Sequence, residues 1–193
     1  MDPSLIDVPE EIETERLIVR MPRPGEGAAV NAAVAESFDE LHRWMPWAAT
    51  MPTVADSEAH SRRAHARFLL REDLSYRAWL KGTDTYVVGS GLHRMDWSVP
   101  RFEVGYWCRS AFVGQGFVTE VVRALTAVAF EKLGAHRVEI RVDDRNDRSW
   151  RVAERCGFTL EGTLRHNERA PDGSLRDTRV YALLRGATGF ERG

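Results

Sequence analysis

The run Val113-Gly114-Gln115-Gly116-Phe117-Val118-Thr119-Glu120 combines residue types and a spacing that suit the grip of an anion. Ahead of it, Phe102-Glu103-Val104-Gly105-Tyr106-Trp107-Cys108 is aromatic and β-branched and alternates like a strand. Behind it, Val118, Val121, Val122, Leu125, Val128 and Ala129 recur at the spacing of an amphipathic helix. A strand, a glycine-bearing loop and a helix start together make a phosphate site. Glycines let the backbone come close, several N–H groups converge, and the helix dipole favours negative charge. The expected ligand is therefore a phosphorylated cofactor, held by Val113 to Thr119.

Two common phosphate loops are excluded by residue type. A Walker loop ends in Gly-Lys-Ser/Thr, and Gly116-Phe117-Val118 does not. A dinucleotide fingerprint needs a third glycine where this chain has Thr119, and Glu103 and Arg109 interrupt what should be a fully buried parallel strand. Further along, Asn146-Asp147-Arg148-Ser149 leads into Trp150 to Cys156, then Gly157-Phe158-Thr159-Leu160-Glu161-Gly162. Asn146 or Asp147 reads as an N-cap, and Gly157 as a left-handed stop before a new strand.

A short Gly-x-Gly opening a long helix after an aromatic strand resembles the acetyl-CoA pyrophosphate loop of the GNAT N-acetyltransferases. The later Asn-x-x-Ser, Gly-Phe and Glu-Gly segment resembles the closing half of that fold, and more narrowly its RimJ/RimL-type ribosomal-protein N-terminal acetyltransferase branch. The Glu103 to Trp107 strand, Phe158 to Gly162, and the tail Pro171-Asp172-Gly173 followed by Asp177 to Leu184 fit the same branch. The likeness runs from about Glu15 to Leu184, strongest after residue 100. One position departs: the broader family often has Gln or Arg three residues before the first loop glycine, and this chain has Ala111.

The resemblance implies acetyl transfer from acetyl-CoA to a primary amine by direct attack in a ternary complex, with a protein N-terminus as acceptor. Such chemistry needs a held cofactor, an amine stripped of its proton, a stabilised oxyanion and a protonated thiolate. Asn146 and Ser149 join the loop at the cofactor. The oxyanion falls to a backbone N–H in the Tyr106 to Arg109 stretch. Many relatives place an acidic tyrosine where this chain has Ala153, so Ser149 takes the role of acid, as in the RimL-type branch. A thiolate with a pKa of ~8.5 asks little of it. Glu168, before Pro171-Asp172-Gly173, and Glu103, on the strand before the loop, compete as base, with His166 as a further titrating group. An α-amine, of pKa ~7.7–8.0, needs only a modest base, whereas a lysine amine near ~10.4 needs more. Trp44, Trp47 and His42, with Arg43 beside them, are expected to line the acceptor groove. Other readings stay open: a small amine, amino acid or antibiotic as acceptor, another acyl-CoA such as succinyl-CoA, or a non-catalytic CoA sensor, which Ala153 favours.

These residues must be positioned by an α+β fold. The resemblance implies a mixed, predominantly antiparallel sheet splayed at its centre and flanked by helices. Arg16 to Met21 reads as a strand, Glu26 to Leu41 as one helix, and Asp56 or Ser57 as the cap of a second helix reaching about Arg71. Tyr76 to Leu80 and Tyr86 to Ser90 read as a hairpin around Gly82-Thr83-Asp84. Further strands are expected near 101–109, 137–142, 158–165 and 177–184, with the long helix running from Gly116 to Leu133. Arg63, Arg67 and Arg71 form an i, i+4, i+8 ridge on the second helix, usually a solvated face.

The 193 residues, 43% of them apolar, suffice for one good core, and no Pro/Gly/Ser-rich linker divides them. One domain over 1–193 is expected, with about 1–14 as a loosely ordered arm. A net charge of −2 gives no general pull toward nucleic acid. The acidic N-terminus lacks the apolar core of a signal peptide, and no apolar run approaches the roughly 20 residues of a membrane span. Cys108 and Cys156 make no disulfide framework, which fits a reduced cytoplasm. His60 and His65, five residues apart, do not share a helical face, so no metal is expected. A homodimer is left open.

Overall fold

The computed structural model describes residues 2–186; Met1 and residues 187–193, the ends of the expected domain, lie outside the described residues. Eight strands form one mixed sheet: β1 (Glu11–Glu13), β2 (Leu17–Arg20), β3 (Leu74–Leu80), β4 (Tyr86–Asp96), β5 (Arg101–Cys108), β6 (Arg137–Asp143), β7 (Thr159–Arg169) and β8 (Leu175–Leu184). Their spatial order is β1-β2-β3-β4-β5-β6-β8-β7. Every neighbouring pair is antiparallel except β5 and β6.

That exception builds the site. The parallel ladder joins only Arg101–Glu103 to Arg137–Glu139. Beyond it β5 stays with β4 as far as Cys108, while β6 stays with β8 as far as Asp143. The sheet therefore opens at its centre, as expected.

Helices α1 (Gly27–Glu36), α2 (Phe38–Trp44), α3 (Val54–Leu69), α4 (Phe117–Glu131) and α5 (Asp147–Arg155) flank it. The apolar stripe of α4, Val121, Val122, Leu125, Val128 and Ala129, is buried against Phe102, Val104, Val138 and Ile140 of the two central strands. Cross-strand register puts Arg77, Gly89 and Trp107 together on the opposite face. There Arg77 meets Ser61 of α3 and Glu26 at the start of α1.

Four local expectations are corrected. The first helix is two, broken at Ser37, because buried Ser37 accepts from the Ser110 N–H through its side chain and pins the chain there. The cap of α3 is Thr53, with Asp56 returning the bond in a reciprocal capping box. Arg71 is not on the helix: its φ is +58°, and its guanidinium donates to the Ile6 and Phe68 carbonyls. The arginine ridge thus ends at Arg67. The N-terminal arm is not loose throughout, since β1 pairs with β2, Val8 is buried and the Tyr76 hydroxyl donates to the Pro9 carbonyl at 2.6 Å.

Candidate functional site

Gly114 and Gly116 both have φ of +82°, a conformation that side-chain-bearing residues adopt only with strain. Through them the chain turns into α4, whose first-turn N–H groups have no helical partner. The back of this loop is clamped by the β1–β2 connection. Arg16 lies over the Phe117 ring at 4.1 Å and donates to the Gln115 carbonyl, and Glu120 accepts from the Thr14 hydroxyl and the Arg16 backbone. Burial raises the Glu120 pKa, but these donors outweigh it and leave the carboxylate below its usual range. An ionised group in the first turn of α4 also complements the helix dipole.

An open groove of about 1560 Å³ runs along this loop. Val113, Gly114, Gly116, Phe117, Val118 and Thr119 form one bank, and Asn146, just ahead of α5, and Ser149 of α5 the other. Gln115 lies outside it, its side chain turned back to the Ala111 carbonyl. The Asn146 side chain caps α5 by accepting from the Ser149 N–H at 3.1 Å. Its rim carries Arg123, Lys132, Arg148, Arg151 and Arg155, cations suited to phosphates that sequence spacing did not single out.

The floor is Tyr106. Its hydroxyl donates to the Ser149 carbonyl at 2.8 Å and stands 3.4 Å from the Ser149 hydroxyl. Burial pushes the Tyr106 pKa up, so it stays a neutral donor. Sequence reading missed this residue: it sought a tyrosine on α5, at Ala153, and the hydroxyl arrives from β5. The Arg109 N–H donates to Val87 of β4. Alternation along β5 consequently turns the amides of Tyr106 and Cys108 the other way, into the gap where β6 has departed.

On the opposite face, Glu103, Gly105 and Trp107 stand in a row. Trp107 packs edge-on against Tyr86 at 5.5 Å and beside exposed Trp47 at 6.3 Å. Gly89 is required beneath it, since a Cβ there would lie 2.1 Å from the indole nitrogen. Trp44 edges the groove, with the Arg43 guanidinium over its ring. His42 faces the Ala48 carbonyl at 2.9 Å and holds the turn Pro46–Ala48, and neither it nor Trp47 lines the groove beside α4.

The two carboxylates differ sharply. Burial raises the Glu103 pKa, partly offset by Arg94 at 3.5 Å. Glu168 is paired with Arg176, whose hydrogen bond holds its carboxyl below the usual range, and Arg94 stands 3.9 Å away. Arg94 reaches both from a left-handed φ of +44°, where the β4–β5 register shifts. His166, also at positive φ, is exposed and donates its N–H to Asp177. Among the described residues, no group of three or more His, Cys, Asp or Glu is placed to hold a metal.

Residues 16–159 match the family model described as an acetyltransferase (GNAT) domain. A Bacillus subtilis (strain 168) protein named “Putative ribosomal N-acetyltransferase YdaF” is 29% identical over 177 residues, 89% of this chain and 92% of that protein. The solved structure of RimL, a ribosomal L7/L12 α-N-protein acetyltransferase in complex with coenzyme A, superposes with a TM-score of 0.84 at 20% identity, covering 91% of this chain and 98% of that one. The microcin C7 self-immunity acetyltransferase MccE, in complex with acetyl-CoA and AMP, superposes with a TM-score of 0.83 at 21% identity, covering 92% and 97%.

Proposed function

Since this chain belongs to the GNAT acetyltransferase family, we propose that it transfers an acetyl group from acetyl-CoA to a primary amine, the N-terminal α-amine of a protein of the ribosomal type. The observation that carries the reading is the opening between β5 and β6, with a glycine loop and helix N-terminus on one side and the Glu103–Trp107 row on the other. A thioester drawn through that gap would meet an amine coming from the opposite face. The acceptor class is supported by the name of the relative YdaF, which spans nearly the whole chain.

In this reading the loop from Val113 to Thr119 and the rim cations hold the phosphates. The outward amides of Tyr106 and Cys108 receive the pantetheine arm and the developing oxyanion, whose stabilisation by one such donor is worth about 2.7–4 kcal/mol in a well-studied hydrolase. Glu103 takes the proton of the amine, because its desolvated carboxyl holds a proton better than an ordinary one. Glu168, fixed to Arg176, serves to hold the β7–β8 arm. Ser149, backed by Tyr106, protonates the departing thiolate. The net change is balanced: of the two protons that the ammonium gives up, one leaves the site through Glu103 and the other replaces the proton that Ser149 gives to CoA.

The test is free-thiol release from acetyl-CoA against N-terminal Ser and Ala peptides, free amino acids, polyamines and aminoglycosides, beside a titration of CoA binding. Turnover with the peptides alone is expected. Turnover confined to small amines would replace the acceptor. Absence of CoA binding would overturn the proposal.

A further inference from the structure

The proton that leaves the site each turnover needs an exit, because Glu103 is mostly enclosed and its burial disfavours the ionised form to which it must return. The cross-strand neighbour of Glu103 on β4 is His93. The Nδ1 atom of His93 lies 2.7 Å from an Asp73 carboxylate oxygen, and Asp73 also accepts from the Ser75 hydroxyl at 2.5 Å. With Asp73 ionised, that contact is a hydrogen bond donated by Nδ1–H, and Nε2 is left with a free lone pair. Burial raises the Asp73 pKa, but the bonds from His93 and Ser75 more than offset it and keep the carboxyl below its usual range.

The ring is given a fixed place by two glycines. A Cβ on Gly91 would stand 2.7 Å from the His93 Nε2, and one on Gly105 would stand 3.3 Å from it. No side chain could occupy Gly91 without moving the imidazole. The ring therefore lies back along the sheet from position 93, over the row that continues to Trp107, toward the opening of the sheet. About a third of the His93 side chain is exposed, against 17% for Asp73. The orienting carboxylate is inside and the imidazole reaches water. Neither residue belongs to a motif visible in the sequence.

Resting on the acetyltransfer reading above, we propose that His93, positioned by Asp73, relays the proton of the acceptor amine from Glu103 to solvent. The Glu103 carboxyl gives its proton to Nε2, the imidazolium forms against the Asp73 carboxylate, and Nε2 then releases the proton to water. Glu103 returns to the ionised form for the next amine. The charges facing the pair are Glu103 from β5, Arg94 beside it on β4, and Arg67 and His60 of α3 near Asp73.

The experiment compares wild type with His93→Gln, His93→Ala and Asp73→Asn, measuring kcat and KM for the amine from pH 5.5 to 9, with CoA binding and melting temperature as controls. His93→Gln is expected to lower kcat about tenfold or more near neutrality. It should leave CoA affinity within about twofold and change the shape of the pH profile of kcat. Added imidazole should restore part of the rate to His93→Ala and none to Asp73→Asn. A His93→Gln variant with kcat within twofold of wild type and the same pH profile overturns the relay. The underlying reading fails differently: wild type then binds no CoA or turns over no amine, a result seen before any variant is made.

Discussion

Glu103 and Glu168 are two carboxylates within reach of one guanidinium, that of Arg94, and the protein treats them oppositely. Glu103 stands on the central strand where burial dominates, so its proton is held more tightly than usual. Glu168 stands on the peripheral β7–β8 arm, where Arg176 binds its carboxylate and makes protonation harder. Residue type is identical; the solvent and the partner differ. A base must take up a proton readily and give it back, whereas a clamp must stay charged. On the proposed reading Glu103 is the base and Glu168 the clamp, a choice that rests on environment and not on sequence position.

The largest effect that would break this contrast is on turnover. Glu103→Gln is expected to lower kcat by about 10²-fold or more, the usual worth of a positioned base, and Glu168→Gln by less than about fivefold. Thiol release at saturating acetyl-CoA reads both, and equal losses would show that burial does not select the base. Next comes the cofactor side. Gly116→Val places a β-branched residue at a φ of +82° and should weaken CoA binding at least tenfold by calorimetry. Ser149→Ala should cost about tenfold in kcat at neutral pH, with the loss shrinking as the pH rises and a thiolate becomes an adequate leaving group. A loss independent of pH would remove Ser149 from the role of acid.

The smallest effects lie in stability, and their signs are opposite. The Glu168 pKa is depressed in the folded chain, so its contribution is present above the unfolded value of about 4.3 and is lost as pH falls through the folded value. Glu168→Gln should therefore destabilise by about 1 kcal/mol at pH 7 and by almost nothing in strong acid. The Glu103 pKa is raised, so ionised Glu103 costs stability above its folded pKa and the cost disappears below the unfolded value. Glu103→Gln should match or exceed wild-type stability at pH 7 while losing activity. Denaturant melts at pH 7 and pH 3 distinguish the two.

Much of the fold was legible because its signals are local. The stripe on α4 has helical spacing and is buried as that spacing requires, and Asn146 and Gly157 bracket α5 because capping depends on a few adjacent residues. The break at Ser37 was not legible. No glycine or proline marks it, and its cause is a bond to Ser110, 73 residues away. Arg71 failed for a related reason: helical periodicity continues past Leu69, but the carbonyls of Ile6 and Phe68 draw its guanidinium inward.

The site divides along the same line. The glycine loop, the Asn146 cap and the strand bearing Glu103 could be read from residue type and neighbours, since the conformations of glycine, the caps of helices and the two-residue alternation of strands are short-range properties. Which carboxylate is desolvated, which hydroxyl meets Ser149 and which histidine lies beside Glu103 depended on strands and helices distant in the chain coming together. Desolvation and ion pairing are set by whatever surrounds a group in space, and here the partners of Glu103, Glu168 and Ser149 are Arg94, Arg176 and Tyr106.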